Sequence, residues 1–129
     1  MDARSAVTEL IHGLLDAWNR KDRSAFCGHF TSGAIYLTGE GELRQGPISI
    51  GGLMDEPQST SRVQVDGPIE VRDHGGVLTG IFHWRSLPDV QPAGRGVVTC
   101  VIVNQSGRWL IDTLQSTDVI RGKDAEGKA

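Results

Sequence analysis

The sequence predicts an α+β domain: a cone-like, curved, mostly antiparallel sheet packed against a long N-terminal helix and two short helices, enclosing a cavity. Two observations lead to this prediction. The helical patterns all lie in the first half of the chain, before residue 57. The second half alternates apolar and polar residues between turn signals, as antiparallel strands do. A long helix against a curved sheet leaves a concave space, which is a common place for a ligand.

The first helix is predicted from apolar residues that recur three and four positions apart between Val7 and Trp18. This spacing gives a helix one continuous apolar face. The helix is expected to begin at Asp2 or Ser5 and to end near Arg20.

A short second helix is expected after Asp22, because an aspartate at the N-cap can accept the free backbone N–H groups of the first turn. Phe26, His29 and Phe30 are expected on one side of this helix. Ser32-Gly33 would end it.

The next segment predicts a strand pair followed by a third helix. A strand over 34–38, a turn at 39–42 and a return strand over 43–45 are expected. Gly46-Pro47 then begins a helix, since proline is favoured at the first helical position. Gly51-Gly52 inside this helix allows two interpretations: a loosened lid over the cavity, or a rigid helix whose glycines permit close packing.

The second half predicts a meander of strands. Alternation over 62–71 is interrupted by Gly67-Pro68, and further strands are expected over 77–87, 97–103 and 109–120. The stretch 97–103 is nearly all apolar, so both of its faces are expected to be covered.

Composition limits the classes of function. One domain over 1–120 with a disordered tail over 121–129 is expected. A formal charge of −3 argues against a nucleic-acid surface, and no apolar run approaches the ~20 residues of a membrane span. The polar N-terminus does not resemble a signal peptide. Cys27 and Cys100 are too few for a disulfide framework or a zinc site, so a reduced, cytoplasmic protein is expected. We see no metal-ligand set and no cofactor fingerprint.

Three stretches form a recognisable pattern over 6–120: Ala17-Trp18-Asn19-x-x-Asp22-x-x-x-Phe26-x-x-x-Phe30, then Gly46-x-x-x-Ile50, and finally Gly107-Arg108-Trp109-x-Ile111 with Gln115-x-Thr117. They resemble the nuclear-transport-factor-two-like superfamily, and within it the SnoaL-like proteins of the SgcJ/EcaC type found around natural-product pathways. The resemblance implies the fold. It does not imply one reaction, because this superfamily holds isomerases, cyclases, epoxide hydrolases, dehydratases and non-enzymes.

The catalytic groups of the ketosteroid isomerases in this superfamily are absent from the corresponding positions, which are Leu14, Thr38 and Thr99. Leucine cannot donate a hydrogen bond, and an unactivated threonine is a poor base. The resemblance therefore does not imply that activity. SnoaL-like cyclases use an aspartate near the end of the sheet, and Asp112 is the comparable residue here.

Three residues are candidates for catalysis: Asp112, His29 and Tyr36. Asp112 interrupts an apolar run, which suits a general acid or base; the alternative is that it alternates outward, or lies at a bulge and pairs with an arginine. His29 stands among aromatic residues and could carry a proton, or could be a core histidine bonded to a backbone carbonyl.

Eight further residues are candidates for ligand binding. They are Trp18, Phe30, Met54, Phe82, Trp84, Thr99, Gln115 and Thr117. Core packing is the alternative explanation for the apolar members. An ordinary place on a strand is the alternative for the polar ones.

The function expected is that of a cofactor-free enzyme of natural-product metabolism, of the isomerase, cyclase or hydrolase type, acting on an apolar, polyketide-like molecule. The alternatives are a non-catalytic protein that binds or sequesters such a molecule, and a dimeric interaction module. A homodimer is expected through the outer sheet face, with Val98, Cys100 and Ile102 pointing outward and Thr99, Val101 and Val103 pointing inward.

Overall fold

The computed structural model describes residues 2–56, 61–89 and 93–120. Its helices are α1 (Ala3–Asn19), α2 (Arg23–Cys27) and α3 (Gly46–Gly51), and a 3₁₀ turn (Gly52–Asp55) follows α3. Its strands are β1 (Phe30–Leu37), β2 (Leu43–Gln45), β3 (Val63–Val65), β4 (Glu70–Asp73), β5 (Leu78–Ser86), β6 (Arg95–Gln105) and β7 (Arg108–Ile120). The tail predicted over 121–129 lies outside the described residues.

Both predicted helix starts are confirmed by their caps. The Asp2 carboxylate accepts a hydrogen bond from the Ser5 N–H at 2.8 Å, and the Asp22 carboxylate accepts one from the Ala25 N–H at 3.1 Å. Each aspartate thereby satisfies a backbone donor that has no partner within its own helix. Between the two helices, Lys21 takes a positive φ of 57°, which makes the tight turn.

The seven strands form one sheet in the order β2-β1-β7-β6-β5-β3, with β4 also paired to β5. Every pair is antiparallel except β1 with β7, which run parallel. The α+β class with a mostly antiparallel sheet is therefore confirmed. Within the described residues no helix is long and apolar enough to cross a membrane.

The core lies between α1 and the inner face of the sheet, meaning the face that the helices cover. Val7 and Ile11 of α1 are fully buried there. A Cβ on Gly80 would lie 2.9 Å from Val7 Cγ1 and 3.3 Å from Ile11 Cδ1, so the absence of a side chain at Gly80 lets α1 approach β5 closely.

The second helix is shorter than predicted. It ends at Cys27, and Phe30 opens β1 four residues before the strand expected from the sequence. The reason is tertiary: the Ile111 N–H donates to the His29 carbonyl at 2.8 Å, which draws this backbone alongside β7. Pairing with a neighbouring strand replaces the helical bonds that local pattern alone suggested.

The faces of β6 are the reverse of those predicted. Val98, Cys100 and Ile102 are buried on the inner face, whereas Thr99 is exposed on the outer face and Val101 and Val103 are half-buried there. Val97, Val101 and Val103 are half-buried on the outer face of the single chain, so the expectation that both faces of 97–103 are covered depends on a partner and stays a prediction. A shift of one residue in strand phase exchanges the two faces completely, and both sets of side chains here are apolar enough to be buried.

Candidate functional site

A cavity of about 760 Å³ lies between α1, the inner sheet face, the β1–β2 hairpin and the 3₁₀ turn. One part of its wall is apolar and aromatic, formed chiefly by Leu14, Trp18, Phe26, Leu53, Phe82, Val98 and Leu114. The other part, called the polar end below, is formed by Tyr36, Thr38, Glu40, Glu42, Glu56, Ser116 and Asp118. The cavity therefore has two chemically distinct regions.

Tyr36 is the hydrogen-bonding aromatic residue of the polar end. It points inward from β1, and its ring centroid lies 6.1 Å from that of Phe30. Burial raises the pKa of Tyr36 to about 12, and the negative charge of Asp118 acts in the same direction. The phenol consequently stays protonated at neutral pH and can donate a hydrogen bond to a ligand.

Asp118 comes to the polar end from the last strand. On β7 it lies opposite Gly96 of β6, and its carboxylate packs against the backbone of Gly39 in the β1–β2 turn. A Cβ on Gly39 would lie 2.6 Å from Asp118 Cγ, so a larger residue at position 39 would displace the carboxylate. The absence of a side chain at Gly96 likewise leaves room for the Trp84 ring, because a Cβ on Gly96 would lie 2.8 Å from two atoms of the indole.

Arg44 ties the hairpin to the 3₁₀ turn at the polar end. Its guanidinium donates to Glu42 Oε1 at 2.9 Å, to Glu56 Oε1 at 2.8 Å and to the Ser49 carbonyl at 2.8 Å. Only 13% of the Arg44 side chain is exposed, but its partners Glu42 and Glu56 are 56% and 40% exposed, so solvent screens both ion pairs.

Gly51, which ends α3, and Gly52, which begins the 3₁₀ turn, support the close-packing interpretation rather than a loose lid. A Cβ on Gly51 would lie 2.8 Å from Cys27 Sγ, and one on Gly52 would lie 2.7 Å from Arg44 Nη1. Neither glycine has a positive φ. Space, and not backbone conformation, therefore favours glycine at position 51, whereas a Cβ at position 52 would have to displace only the end of the Arg44 side chain.

The Trp-Asn pair at the end of α1 has a structural role at the cavity wall. Trp18 Nε1 donates to the Ser61 carbonyl at 3.1 Å. The Asn19 amide both donates to the Val63 carbonyl at 2.8 Å and accepts from the Val63 N–H at 2.9 Å. Lys21 Nζ also donates to Ser61, at 3.0 Å, and lies 4.5 Å from the centre of the Trp18 ring. These contacts hold the start of β3 against α1.

Of the residues predicted to form the site, Trp18, Tyr36, Phe82 and Trp84 line the cavity. Phe30 lies behind the wall, where its ring contacts those of Phe26 and Tyr36. Met54 is half-buried against the core and is not part of the cavity lining.

His29 does not face the cavity. Its Nδ1 lies 2.6 Å from the Ala25 carbonyl, one helical turn earlier. Its ring lies over Gly13 of α1, where a Cβ would be 2.9 Å from Nε2. The catalytic placement predicted for His29 is therefore corrected. The alternative of a histidine bonded to a backbone carbonyl matches the geometry.

Asp112 is also outside the cavity. It is the extra residue of a β-bulge in β7, since Val101 pairs with Thr113 while Ile102 pairs with Ile111. Its carboxylate accepts a hydrogen bond at 3.0 Å from the hydroxyl of Thr31, which is only 3% exposed. The bulge explains why a carboxylate interrupts the apolar run, and it removes the geometric basis for a catalytic role.

Thr99, Gln115 and Thr117 lie on the outer face of the sheet and are exposed. Their predicted placement in the cavity is therefore corrected, and the cause is the reversed phase of β6 described above. The inward residues of β7 are Leu114, Ser116 and Asp118, one position away in each case. Asp118 and Ser116 were missed by the sequence reasoning, and the signal that finds them is this alternation read in the correct phase.

The cysteines do not form a reactive site. Both are free thiols. Burial raises the pKa of Cys100 to about 12 and also raises that of Cys27, so neither is activated as a thiolate. In the part of the chain that the structure describes, no three metal-ligating side chains lie together.

Neither protein-family models nor curated proteins match this sequence. Solved structures do match the fold. An NTF-2 like protein of unknown function from Shewanella oneidensis is 20% identical, with a TM-score of 0.73 over 88% of this chain and 98% of that one. An uncharacterized protein with a cystatin-like fold from Caulobacter vibrioides is 19% identical, with a TM-score of 0.79 over 98% and 94%.

A third similar structure is an NTF2-like superfamily protein from Salmonella enterica serovar Typhimurium, at 15% identity and a TM-score of 0.76 over 90% of each chain. Likeness at this level of identity describes the backbone arrangement and leaves the chemistry of the cavity open. The chain thus has the NTF2-like, cystatin-like fold.

Proposed function

We propose that this protein binds a small, largely apolar molecule in its cavity, with the polar group of the ligand between Tyr36 and Asp118. One observation carries the proposal: a cavity of about 760 Å³ combines apolar and aromatic wall residues with polar groups, among them Tyr36 and Asp118. That volume lies within the roughly 300–1,000 Å³ of small-molecule sites, and a few placed polar groups in an apolar pocket orient a ligand.

The apolar and the polar residues of the cavity make different contributions to binding. Burial of the ligand's apolar body against Trp18, Phe82 and Trp84 supplies the driving force. Tyr36 and Asp118 give direction, because the protonated phenol donates a hydrogen bond while a carboxylate accepts one.

Binding can be tested with N-phenyl-1-naphthylamine, a neutral apolar dye whose fluorescence rises in an apolar site. The test variant is Ser116→Leu, which adds volume on the inner face, and the matched control is Thr117→Leu, which adds the same side chain on the outer face. We expect the first variant to weaken dye binding at least tenfold and the second to leave it unchanged. Equal binding by the parent and both variants would refute a role for this cavity.

Catalysis is the second candidate function, and the presence of Tyr36 and Asp118 in the same polar end favours it. A phenol that donates to a ligand carbonyl and a carboxylate that takes a proton form an acid–base arrangement needing no cofactor. This suits an isomerase, cyclase or hydrolase acting on a polyketide-like molecule. The resemblance of the sequence to SnoaL-like, SgcJ/EcaC-type proteins supports natural-product metabolism.

Proton transfer can be measured directly with 1-tetralone, an apolar ketone, in deuterium oxide. An enzyme of this kind should speed deuterium uptake next to the carbonyl. Tyr36→Phe and Asp118→Asn should each abolish the acceleration while the dye still binds. Acceleration that survives both substitutions would exclude this pair as the catalytic groups. Dye binding without any acceleration would favour a binding or sequestration protein.

The remaining parts of the proposal concern assembly and location. The outer sheet face presents half-buried apolar side chains, among them Ile35, Leu37, Ile81, Val97 and Val101. An apolar sheet face of this kind supports a homodimer. The two free cysteines support a cytoplasmic location.

A further inference from the structure

We infer that a second site on this protein binds the phosphate group of a small phosphate monoester, between two arginines on the outer face of the sheet. The arginine pair is Arg85 of β5 and Arg95 of β6, and neither residue lines the cavity. Three features support this site: the register of the two arginines, the contacts of their guanidinium groups, and the cleft beside them. The site is separate from the cavity, so it stands whatever the cavity binds.

Strand pairing places the two arginines side by side. Arg85 and Arg95 lie directly opposite each other in the antiparallel pair of β5 and β6, so both side chains leave the same face of the sheet, and both are exposed. Side chains in such a pair have Cβ atoms roughly 4.5–5.5 Å apart, and two like charges at that distance destabilise the sheet. An anion bound by both guanidinium groups would offset this repulsion.

No carboxylate of the described residues pairs with either arginine. The contact of Arg85 is with a neutral group: its Nε and Nη2 both donate to the side-chain oxygen of Gln64, at 2.9 Å each, with the Gln64 amide turned toward the guanidinium. This double contact fixes the plane of the guanidinium and leaves Nη1 for another acceptor. Arg85 is therefore oriented by a neighbour that does not balance its charge.

A cleft of about 260 Å³ adjoins the arginine pair. Its described lining consists of Asp66, His83, Trp84, Arg95, Gly96 and Val119. His83 is exposed on the same face as Arg85, two positions earlier on β5, and its imidazole can donate a further hydrogen bond. Val119 is 55% exposed and offers an apolar contact for the organic part of a ligand. Asp66 is the acidic residue of this lining, and its single negative charge is outweighed by the two arginines.

The charge of the arginine pair suits a phosphate monoester better than a carboxylate. Above its second pKa of about 6, a monoester carries close to two negative charges, and three of its oxygens accept hydrogen bonds strongly. Two guanidinium groups can therefore share one phosphate, each donating to different oxygens. A carboxylate has one charge and two oxygens, which a single arginine satisfies. The formal charge of −3 on the chain argues against a nucleic acid as the source of the phosphate.

The test is a calorimetric titration of the full chain, at pH 8 and low ionic strength, with phenyl phosphate and phenyl sulfate. The two probes have nearly the same shape, but the first carries about two negative charges and the second carries one. We expect phenyl phosphate to bind at least tenfold more tightly than phenyl sulfate. Added salt should reduce this difference, because screening weakens interactions between charges.

Variants locate the bound probe. Arg85→Gln and Arg95→Gln should each weaken the binding of phenyl phosphate at least tenfold, and both should stay folded because the side chains are exposed. Arg72→Gln is the matched control, since Arg72 is also exposed on the outer face but lies opposite Thr79 instead of another arginine. Its affinity should stay within twofold of the parent. Ser116→Leu, which fills the cavity, should also leave the binding of phenyl phosphate unchanged.

Several results would overturn the inference. They are no binding of phenyl phosphate at millimolar concentration, equal affinity for phosphate and sulfate, or an equal loss of affinity in Arg72→Gln and Arg95→Gln. Loss of binding in Ser116→Leu would place the probe in the cavity instead. Tighter binding of a single-stranded oligonucleotide, whose phosphate diesters carry one charge each, would exclude a small monoester as the ligand. Each of these results leaves the dye test of the cavity unaffected, so failure of this site and failure of the proposed function are distinguishable.

Discussion

Ionisation of Tyr36 offers a direct test of the cavity, because it is the single tyrosine of the sequence. The near-ultraviolet absorbance of tyrosinate therefore reports this side chain alone. In the structure, burial as the larger cause and Asp118 as the smaller raise the pKa of Tyr36 to about 12, from the ordinary tyrosine value of 10.0. Titration of the folded protein should accordingly show a midpoint well above that of the unfolded chain in denaturant.

The shift also predicts how stability depends on pH. A difference of one pKa unit corresponds to about 1.4 kcal/mol, so ionisation of Tyr36 should cost the folded state roughly 2 to 3 kcal/mol more than it costs the unfolded chain. Because the folded pKa is the higher one, this penalty is absent below pH 10 and the folded state loses stability as the pH rises from 10 through about 12. Chemical denaturation at several alkaline pH values should show the free energy of unfolding falling across that window.

Asp118→Asn separates the two causes of the shift. Removing the negative charge should lower the pKa of Tyr36, yet leave it above 10 because the ring remains buried. Glu70→Gln removes a carboxylate from the opposite face and should leave the titration unchanged. A parent midpoint near 10 would show that the phenol is not buried. An Asp118→Asn midpoint equal to that of the parent would show that this carboxylate does not act on Tyr36.

Three further predictions concern packing and assembly. Trp18→Ala should lower the free energy of unfolding by about 3–5 kcal/mol and the melting temperature by at least about 10 °C. The reason is that the substitution removes the ring contact with Phe26 and the hydrogen bond to the Ser61 carbonyl. A melting temperature within a degree or two of the parent would contradict the α1 register. Gly51→Ala should destabilise the fold, because the added Cβ would lie 2.8 Å from Cys27 Sγ. In the parent protein, amide exchange over 50–56 should be slow without ligand. Fast exchange there would instead favour a lid. Light scattering should give about twice the 13.9 kDa chain mass, and Val101→Asp on the outer face should give monomer; a parent that is monomeric at micromolar concentration would refute the dimer.

The sequence by itself determined the class of fold and most of its elements. Helical spacing located α1, aspartates at N-cap positions located the starts of α1 and α2, and turn residues separated β1 from β2 and β6 from β7. These features depend on bonds between residues a few positions apart, so they are readable from local pattern. Four aromatic residues of the cavity wall, Trp18, Tyr36, Phe82 and Trp84, were also found this way.

Only the tertiary structure decided which face of each strand meets the helices. In β6 both alternating sets are largely apolar, so a period of two residues permits either phase. The packing of α1 on Gly80 fixes which alternate residues of the sheet face the helices. In this arrangement Asp118 lines the cavity and Thr99 lies on the outer face. A β-bulge, which depends on how β6 and β7 pair, places Asp112 outside the cavity.

The polar end of the cavity is likewise a product of long-range pairing. Its residues belong to β1, to the hairpin that follows it, to the position after the 3₁₀ turn and to β7. The parallel pairing of β1 with β7 brings the first and last strands together. Tyr36 and Asp118 interact electrostatically although they are some 80 positions apart. Such a long-range interaction leaves no periodic signal in the sequence, because the alternation within one strand carries no information about the other strand. Local pattern therefore predicted the elements and part of the aromatic wall, whereas the acidic groups that give the cavity its chemistry are assembled only by the folded sheet.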